Sequence, residues 1–199
     1  MMSLTEKAKD VFSTHGGTLR TTEALAAGIH PRTLYAMRDT GQIEALARGV
    51  FRLASFPPLA NPDLATVAKR IPHGVICLIS ALAFHELTTQ IPHEVHVAIS
   101  RTARNPRLAF PPLRIYRFSS ETFDAGIMTQ IMDGIPIRVY NPEKTLADCF
   151  KYRSKIGMDV VLEALRAYRR QHPQFQRVLE YARICRVERA MRPYLETLA

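Results

Sequence analysis

No apolar run in this 199-residue chain approaches the roughly 18 residues a membrane-spanning helix needs, which argues against a helical membrane protein. The opening residues, Met1-Met2-Ser3-Leu4-Thr5-Glu6-Lys7, lack the apolar centre of a secretory signal, so a cytoplasmic location is expected. Cysteine is scarce: Cys77, Cys149 and Cys185 are odd in number and widely spaced. With no Cys-x-x-Cys pair among them, they read as buried thiols and offer neither a zinc site nor a redox couple. Neither Gly-x-Gly-x-x-Gly nor a Walker-type loop occurs, so no nucleotide cofactor is expected. Negative charge is the minority sign, with 18 acidic side chains against 27 basic, a formal charge of +9 and a pI near 9.8. That balance favours polyanionic partners through the summed field and counterion release. The excess is uneven, because residues 150–199 alone hold 11 basic and 5 acidic side chains.

What is present is a folding composition, 47% hydrophobic and 23% charged. Leu4, Ala8, Val11 and Phe12 recur at helical spacing, and Gly16-Gly17 should stop that helix. After an extended stretch, Thr18-Leu19-Arg20, Thr21 is expected to cap a second helix through Ala27, with Glu23 in its first turn and Gly28 at its end. Pro31 is preset for the first position of a third helix running through Thr40 to Gly41. Its Leu34 and Met37 face inward, Arg32, Thr33, Tyr35, Ala36 and Asp39 face outward, and Arg38 lies at the edge. Two short helices meeting at a glycine, the second presenting basic and hydroxyl groups, form a helix-turn-helix pattern. Ile43–Ala47 and Val50–Leu53 then read as strands joined by Arg48-Gly49, a hairpin placed as a wing.

In that arrangement Arg32, Thr33 and Tyr35 are the candidates for base edges or flanking phosphates, since arginine pairs bidentately with guanine. Arg20, Arg38, Arg48 and Arg52 would position the duplex, with Arg48 at the wing tip reaching phosphate or a minor groove. Thr21 and His30, at the starts of the second and third helices, complete the expected DNA-binding set. The competing reading is a protein-interaction module whose charges are a solvated face.

The run from Gly17 to Ile29, with Arg32-Thr33-Leu34-Tyr35 and Arg48-Gly49-Val50-Phe51-Arg52-Leu53, resembles the N-terminal domain of the AbiEi antitoxin family. Ser80–Leu87 and Tyr140–Cys149 are similar to that family's C-terminal domain. The resemblance implies a type IV toxin-antitoxin regulator. Such a protein represses its own operon by binding inverted repeats in double-stranded DNA, and it antagonises a nucleotidyltransferase toxin without a stable complex. The winged domain also occurs beside other C-terminal functions, nuclease-like ones included, so the antitoxin activity rests on the later segments.

Three prolines in Phe56–Pro62 read as a linker, dividing a winged domain at 1–55 from a C-terminal domain at 61–199. In the second part Asp63–Ile71 is an expected helix, Val75–Leu78 a buried strand, and Ser80 the cap of a helix ending near Leu87. Glu94–Ile99, Arg114–Phe118 and Ile135–Tyr140 alternate as strands, the last forming a hairpin with Ile127–Ile131 across Asp133-Gly134. Asn141-Pro142 starts a helix that buries Leu146, Ala147 and Phe150, and helices follow at Asp159–Arg170, Gln174–Ile184 and Val187–Leu198. The fold class is therefore α+β: a winged helix-turn-helix, a mixed domain and a helical tail.

Catalytic signals are weak. His93 and His96, three apart in an expected strand, point to opposite faces and do not converge on a metal. His85-Glu86 sits in apolar context, and Asp148-Cys149 has no histidine near it in sequence. A metal-dependent nuclease, the alternative reading, would have to assemble distant acids such as Asp124, Asp133 and Glu143. No metal, no cofactor and no enzymatic activity are expected. The arginines of the last three helices read first as a solvated face and second as a further contact with a polyanion.

Overall fold

The computed structural model describes residues 3–171 and 173–198; Met1 and Met2, part of the N-terminus expected to lack a signal, lie outside it. Its first helix, α1 (Leu4–Thr14), opens on a capping box in which Ser3 and Glu6 exchange side-chain to backbone bonds. Strand β1 (Thr18–Arg20) leads into α2 (Thr21–Ala26) and α3 (Pro31–Asp39), the latter with proline at its first position. The cap of α2 is Arg20, not Thr21. Arg20 provides the extended residue before the helix, and the Glu23 carboxylate at the third helical position reaches back to accept from its amide at 2.8 Å, the half of a capping box that needs no hydroxyl.

Strands β2 (Ile43–Ala47) and β3 (Val50–Leu53) form the wing, and β1 adds to β3 in a three-stranded antiparallel sheet of order β1-β3-β2. A register shift between Ala45 and Ala47 bends β2, and Gly49 takes a φ of +75° in the turn. Ala8, Phe12, Leu19, Ala24, Leu34, Met37, Ile43 and Phe51 close one apolar core beneath these elements.

The chain divides into two compact units, residues 1–72 with 130–137 and residues 73–129 with 138–199. The linker at 56–62 therefore lies within the first unit and does not end it. Helix α4 (Pro62–Arg70), capped by the Asn61 side chain, belongs to that unit because Lys69 reaches Glu23 and Arg70 reaches the wing. Residues 130–137 join it where Gly16 and Gly134 meet, so closely that a Cβ on Gly16 would stand 2.7 Å from the Gly134 oxygen.

A five-stranded mixed sheet has the order β6-β5-β4-β8-β7. Strand β4 is only Val75–Ile76, and α5 (Leu78–Phe84) starts earlier than the sequence suggests, with Cys77 at its cap. Ser80 lies inside α5, where its hydroxyl accepts from the His96 amide at 2.9 Å and so ties the helix to the sheet. Strands β5 (Val95–Ser100) and β6 (Leu113–Phe118) run parallel, the short α6 (Ser120–Asp124) follows, and β7 (Ile127–Met132) and β8 (Ile135–Tyr140) make the hairpin. Helix α7 (Pro142–Lys151) is buried on every side from Glu143 to Phe150, against the one apolar face its pattern suggested. Around it stand α8 (Arg153–Ile156), α9 (Met158–Arg169), α10 (Phe175–Ile184) and α11 (Glu188–Glu196).

A buried polar cluster explains why α7 can be central. Lys144 and Asp148, one turn apart and fully buried, form an ion pair, and the Lys144 ammonium lies 4.2 Å from the Tyr140 ring centroid and 4.9 Å from that of Phe118. The Cys185 thiol donates to the second Asp148 oxygen at 3.2 Å. Burial pushes the Asp148 carboxyl above the ordinary carboxylate range despite the Lys144 ammonium beside it. All three cysteines are buried and free.

Candidate nucleic-acid interface

Helix α3 turns Leu34 and Met37 into the core and leaves Arg32, Tyr35, Ala36, Arg38 and Asp39 on its outer side. Thr33, expected to face outward, is half-buried. Tyr35 is held edge-on to Phe51 of β3, with ring centroids 6.4 Å apart, so the outer side of α3 is fixed to the wing by an aromatic contact. The Arg38 guanidinium lies over the Tyr35 ring, 5.1 Å from its centroid, and its Nε and Nη2 donate to Asp39 at 2.9 and 2.7 Å.

Between α3 and the wing runs a cleft of about 550 Å³ lined by Thr21, Tyr35, Arg38, Arg48, Phe51 and Arg70 among others. The Thr21 amide donates to the Gly49 carbonyl at 2.9 Å, and Arg70 donates from Nη1 to the Arg48 carbonyl at 2.8 Å. The turn is thereby tied at two successive carbonyls while the Arg48 side chain stays exposed. Among the described residues the Arg32 and Arg48 guanidinium groups have no hydrogen-bond or ionic partner, which leaves both charges open to an incoming anion.

The remaining sequence candidates have local duties. Arg20 pairs with Glu23 at 3.1 Å, and Lys69 reaches the same carboxylate at 3.1 Å. Partial burial pushes the Glu23 carboxyl up, but the Arg20 amide and the Lys69 ammonium outweigh it and hold the group below the ordinary carboxylate value. His30 is the cap of α3, its Nδ1 accepting from the Arg32 amide at 3.2 Å. Arg52 needs correction as a surface contact: it is 3% exposed. Its guanidinium donates to the Thr18 hydroxyl at 2.9 Å and the Pro57 carbonyl at 2.6 Å and lies over the Phe56 ring, fastening the wing to the segment after it. Sequence reading missed Arg70. The signal was available in the Lys69-Arg70 pair ending an expected helix, but only folding places that end beside the wing tip.

His96 is buried in β5, whereas His93 precedes that strand. Glu143 is buried and accepts from the Tyr168 hydroxyl at 2.8 Å, Asp133 accepts from the Ala60 amide, and Asp124 from the Ser120 hydroxyl. No helix of the structure is long and apolar enough to cross a membrane, among the described residues.

Three helices with a β-wing, an exposed third helix and an adjacent basic turn define the N-terminal part as a winged helix-turn-helix within an α+β chain. Residues 6–54 match the family described as "Transcriptional regulator, AbiEi antitoxin". No curated protein matches the chain. Among solved structures, the RV2827C protein from Mycobacterium tuberculosis is similar, at 13% identity and a TM-score of 0.52 over 90% of this chain and 77% of that one. At such identity the likeness concerns the fold alone.

Proposed function

We propose that this protein is a DNA-binding transcriptional repressor, with α3 in a major groove and the Arg48 turn on the adjacent backbone or minor groove. The observation that carries this reading is the cleft shared by Tyr35, Arg38, Arg48 and Arg70, which sets the open face of α3 and the wing tip side by side on one surface. Arg32 and Thr33 near the start of α3 serve base edges, and Tyr35 joins them; Arg38, Arg48 and Arg70 serve phosphates. Arg20, Thr21 and His30 act through the scaffold, holding α2, the turn and the cap of α3. The match of residues 6–54 to a regulator family supports the same direction.

The finer reading is an autoregulating antitoxin of a type IV system, acting in the cytoplasm. It binds inverted repeats in its own promoter and counters a nucleotidyltransferase toxin without a lasting complex. Its support is the family description together with the extent of a second folded unit beyond the DNA-binding part.

A gel shift of the full chain on its own upstream DNA, with and without magnesium and at two salt concentrations, tests the proposal. A shift that weakens steeply with salt and leaves the DNA intact is expected, because phosphate contacts release counterions. Loss of DNA only with magnesium would establish a nuclease instead, and no shift at either salt would establish an interaction module.

A further inference from the structure

A recess of about 330 Å³ in the second unit gathers four cations from four separate segments: Arg101 after β5, Arg117 on β6, Lys151 at the end of α7 and Arg186 between α10 and α11. Glu121 is the one carboxylate in its lining, so the recess carries a formal excess of three positive charges. None of the four cations forms an ion pair among the described residues. Arg117 donates only to neutral acceptors, the carbonyls of Arg101 and Ala103 and the Asn105 side chain, which fixes its guanidinium without cancelling its charge. The contrast with the neighbouring arginines is sharp. Glu188 is two residues from Arg186, yet it is taken by Arg183 and Arg192 at 2.9 and 2.6 Å, leaving Arg186 unpaired.

Arg186 also occupies a backbone position that disfavours it. Its φ is +60°, at the residue after the cap of α10, where the Val187 amide bonds the Ala182 carbonyl at 2.8 Å and its own amide bonds the Arg183 carbonyl at 2.9 Å. The left-handed conformation that ends a helix this way suits glycine and costs other residues. Three other helices of the chain close on the same pair of bonds with glycine in that place, Gly16, Gly28 and Gly41. Glu86 shares the strained position but does not line this recess. Strain retained at a charged residue facing a cationic recess points to a ligand that the charge serves.

We propose that this recess binds a small soluble compound through a di- or polyphosphate group. Arginine forks match phosphate oxygens and the lysine adds a point charge, while an excess of three charges suits an anion carrying several. The hydroxyls of Ser119 and Thr122 supply neutral contacts. The two aromatic side chains in the lining, Phe118 and Tyr152, are already stacked on each other at 13°, with Tyr140 stacked on Phe118 and Lys155 over the Tyr152 ring, so the site reads phosphate and leaves a base or sugar outside. Its volume falls at the lower end of ligand sites, about 300–1,000 Å³. A duplex spreads its charges along a line, about one per 1.7 Å, whereas cations converging on one recess match a compact ligand.

Calorimetric titration of the full chain with inorganic pyrophosphate tests this without reliance on the DNA-binding reading. Saturable binding is expected, weakened about tenfold by Lys151→Gln and by Arg186→Gly. Arg186→Gly should at the same time hold or raise the midpoint of thermal denaturation, because glycine relieves the strained φ; a purely structural arginine would lower it. The double variant Arg32→Ala/Arg48→Ala should bind pyrophosphate as the wild type does. The proposal is overturned by a wild type that takes up no pyrophosphate, by an Arg186→Gly chain that binds equally well or melts lower, or by binding lost in the Arg32/Arg48 variant. It is also overturned if duplex DNA displaces pyrophosphate from that variant, which would make the recess a backbone-phosphate contact.

Discussion

Arg70, the last residue of α4, donates from its guanidinium to the carbonyl of Arg48 at the wing tip, 2.8 Å away. A residue 22 positions later in the chain thus holds the turn whose side chain is aimed outward. With the Thr21 amide bonding Gly49, the wing is fixed in the conformation a duplex would meet, and little ordering remains to be done on binding.

Replacing Arg70 by methionine keeps the apolar stem and removes this bond. Amide exchange at residues 47–49 should quicken, stability should fall by about 1 kcal/mol, and affinity for duplex DNA should drop on every sequence alike. Unchanged exchange in the turn would refute the strut.

Arg32 and Arg48 should differ in kind. Arg32→Ala is expected to cost about 1–3 kcal/mol of binding and to relax preference at one base position, whereas Arg48→Ala should weaken all sequences equally and reduce the salt slope. Binding measured on a set of single-base operator variants separates the two, and equal losses for Arg32→Ala across the set would demote it to a phosphate contact.

Arg52→Ala should act on folding and not on recognition. It empties a buried site, leaving the Thr18 hydroxyl and the Pro57 carbonyl without their donor, at a cost of about 2–3 kcal/mol. Denaturant unfolding reads the loss, and the folded fraction should bind DNA as before.

The Lys144 and Asp148 pair makes a double-mutant prediction. Lys144→Met alone strands a buried carboxylate and should cost about 3–5 kcal/mol, while Lys144→Met with Asp148→Leu should recover most of it. A double variant no more stable than the single one would show that the charges themselves are needed.

His96 sets an acid limit. Burial lowers its pKa from the ordinary 6.5 to about 4, with Glu94 opposing and Arg114 assisting. Between those values the unfolded chain binds a proton that the folded chain refuses, so stability falls as pH drops from about 6.5 to about 4 and is untouched by this group above that window. The loss is on the order of 3 kcal/mol. His96→Phe should flatten the denaturation midpoint across this range; an unchanged slope would assign the sensitivity elsewhere.

The helix boundaries were legible where local chemistry decides them. Pro31 began α3 and Asn141-Pro142 began α7, with caps accepting from the backbone as the residue types imply. Asp133-Gly134 joined a hairpin, both residues at positive φ. Ser80 misled because a serine before an apolar run suits a cap, yet its hydroxyl is used across the fold, on the His96 amide. Arg52 misled similarly, since alternation in a short strand says which residues share a face but not that a later segment will cover it.

By itself the sequence determined the periodic elements, the turn residues between them and the basic, hydroxyl-bearing helix followed by a wing, because these depend on spacings of a few residues and on backbone preferences of proline, glycine and asparagine. Tertiary structure alone decided which charges stay open. Arg52 is covered by Thr18 and Pro57, Arg32 and Arg48 have no partner among the described residues, and Arg70 gains its role from a wing tip 22 residues earlier in the chain. The reason is that desolvation and pairing depend on what surrounds a side chain in space, and a linear pattern carries no record of that.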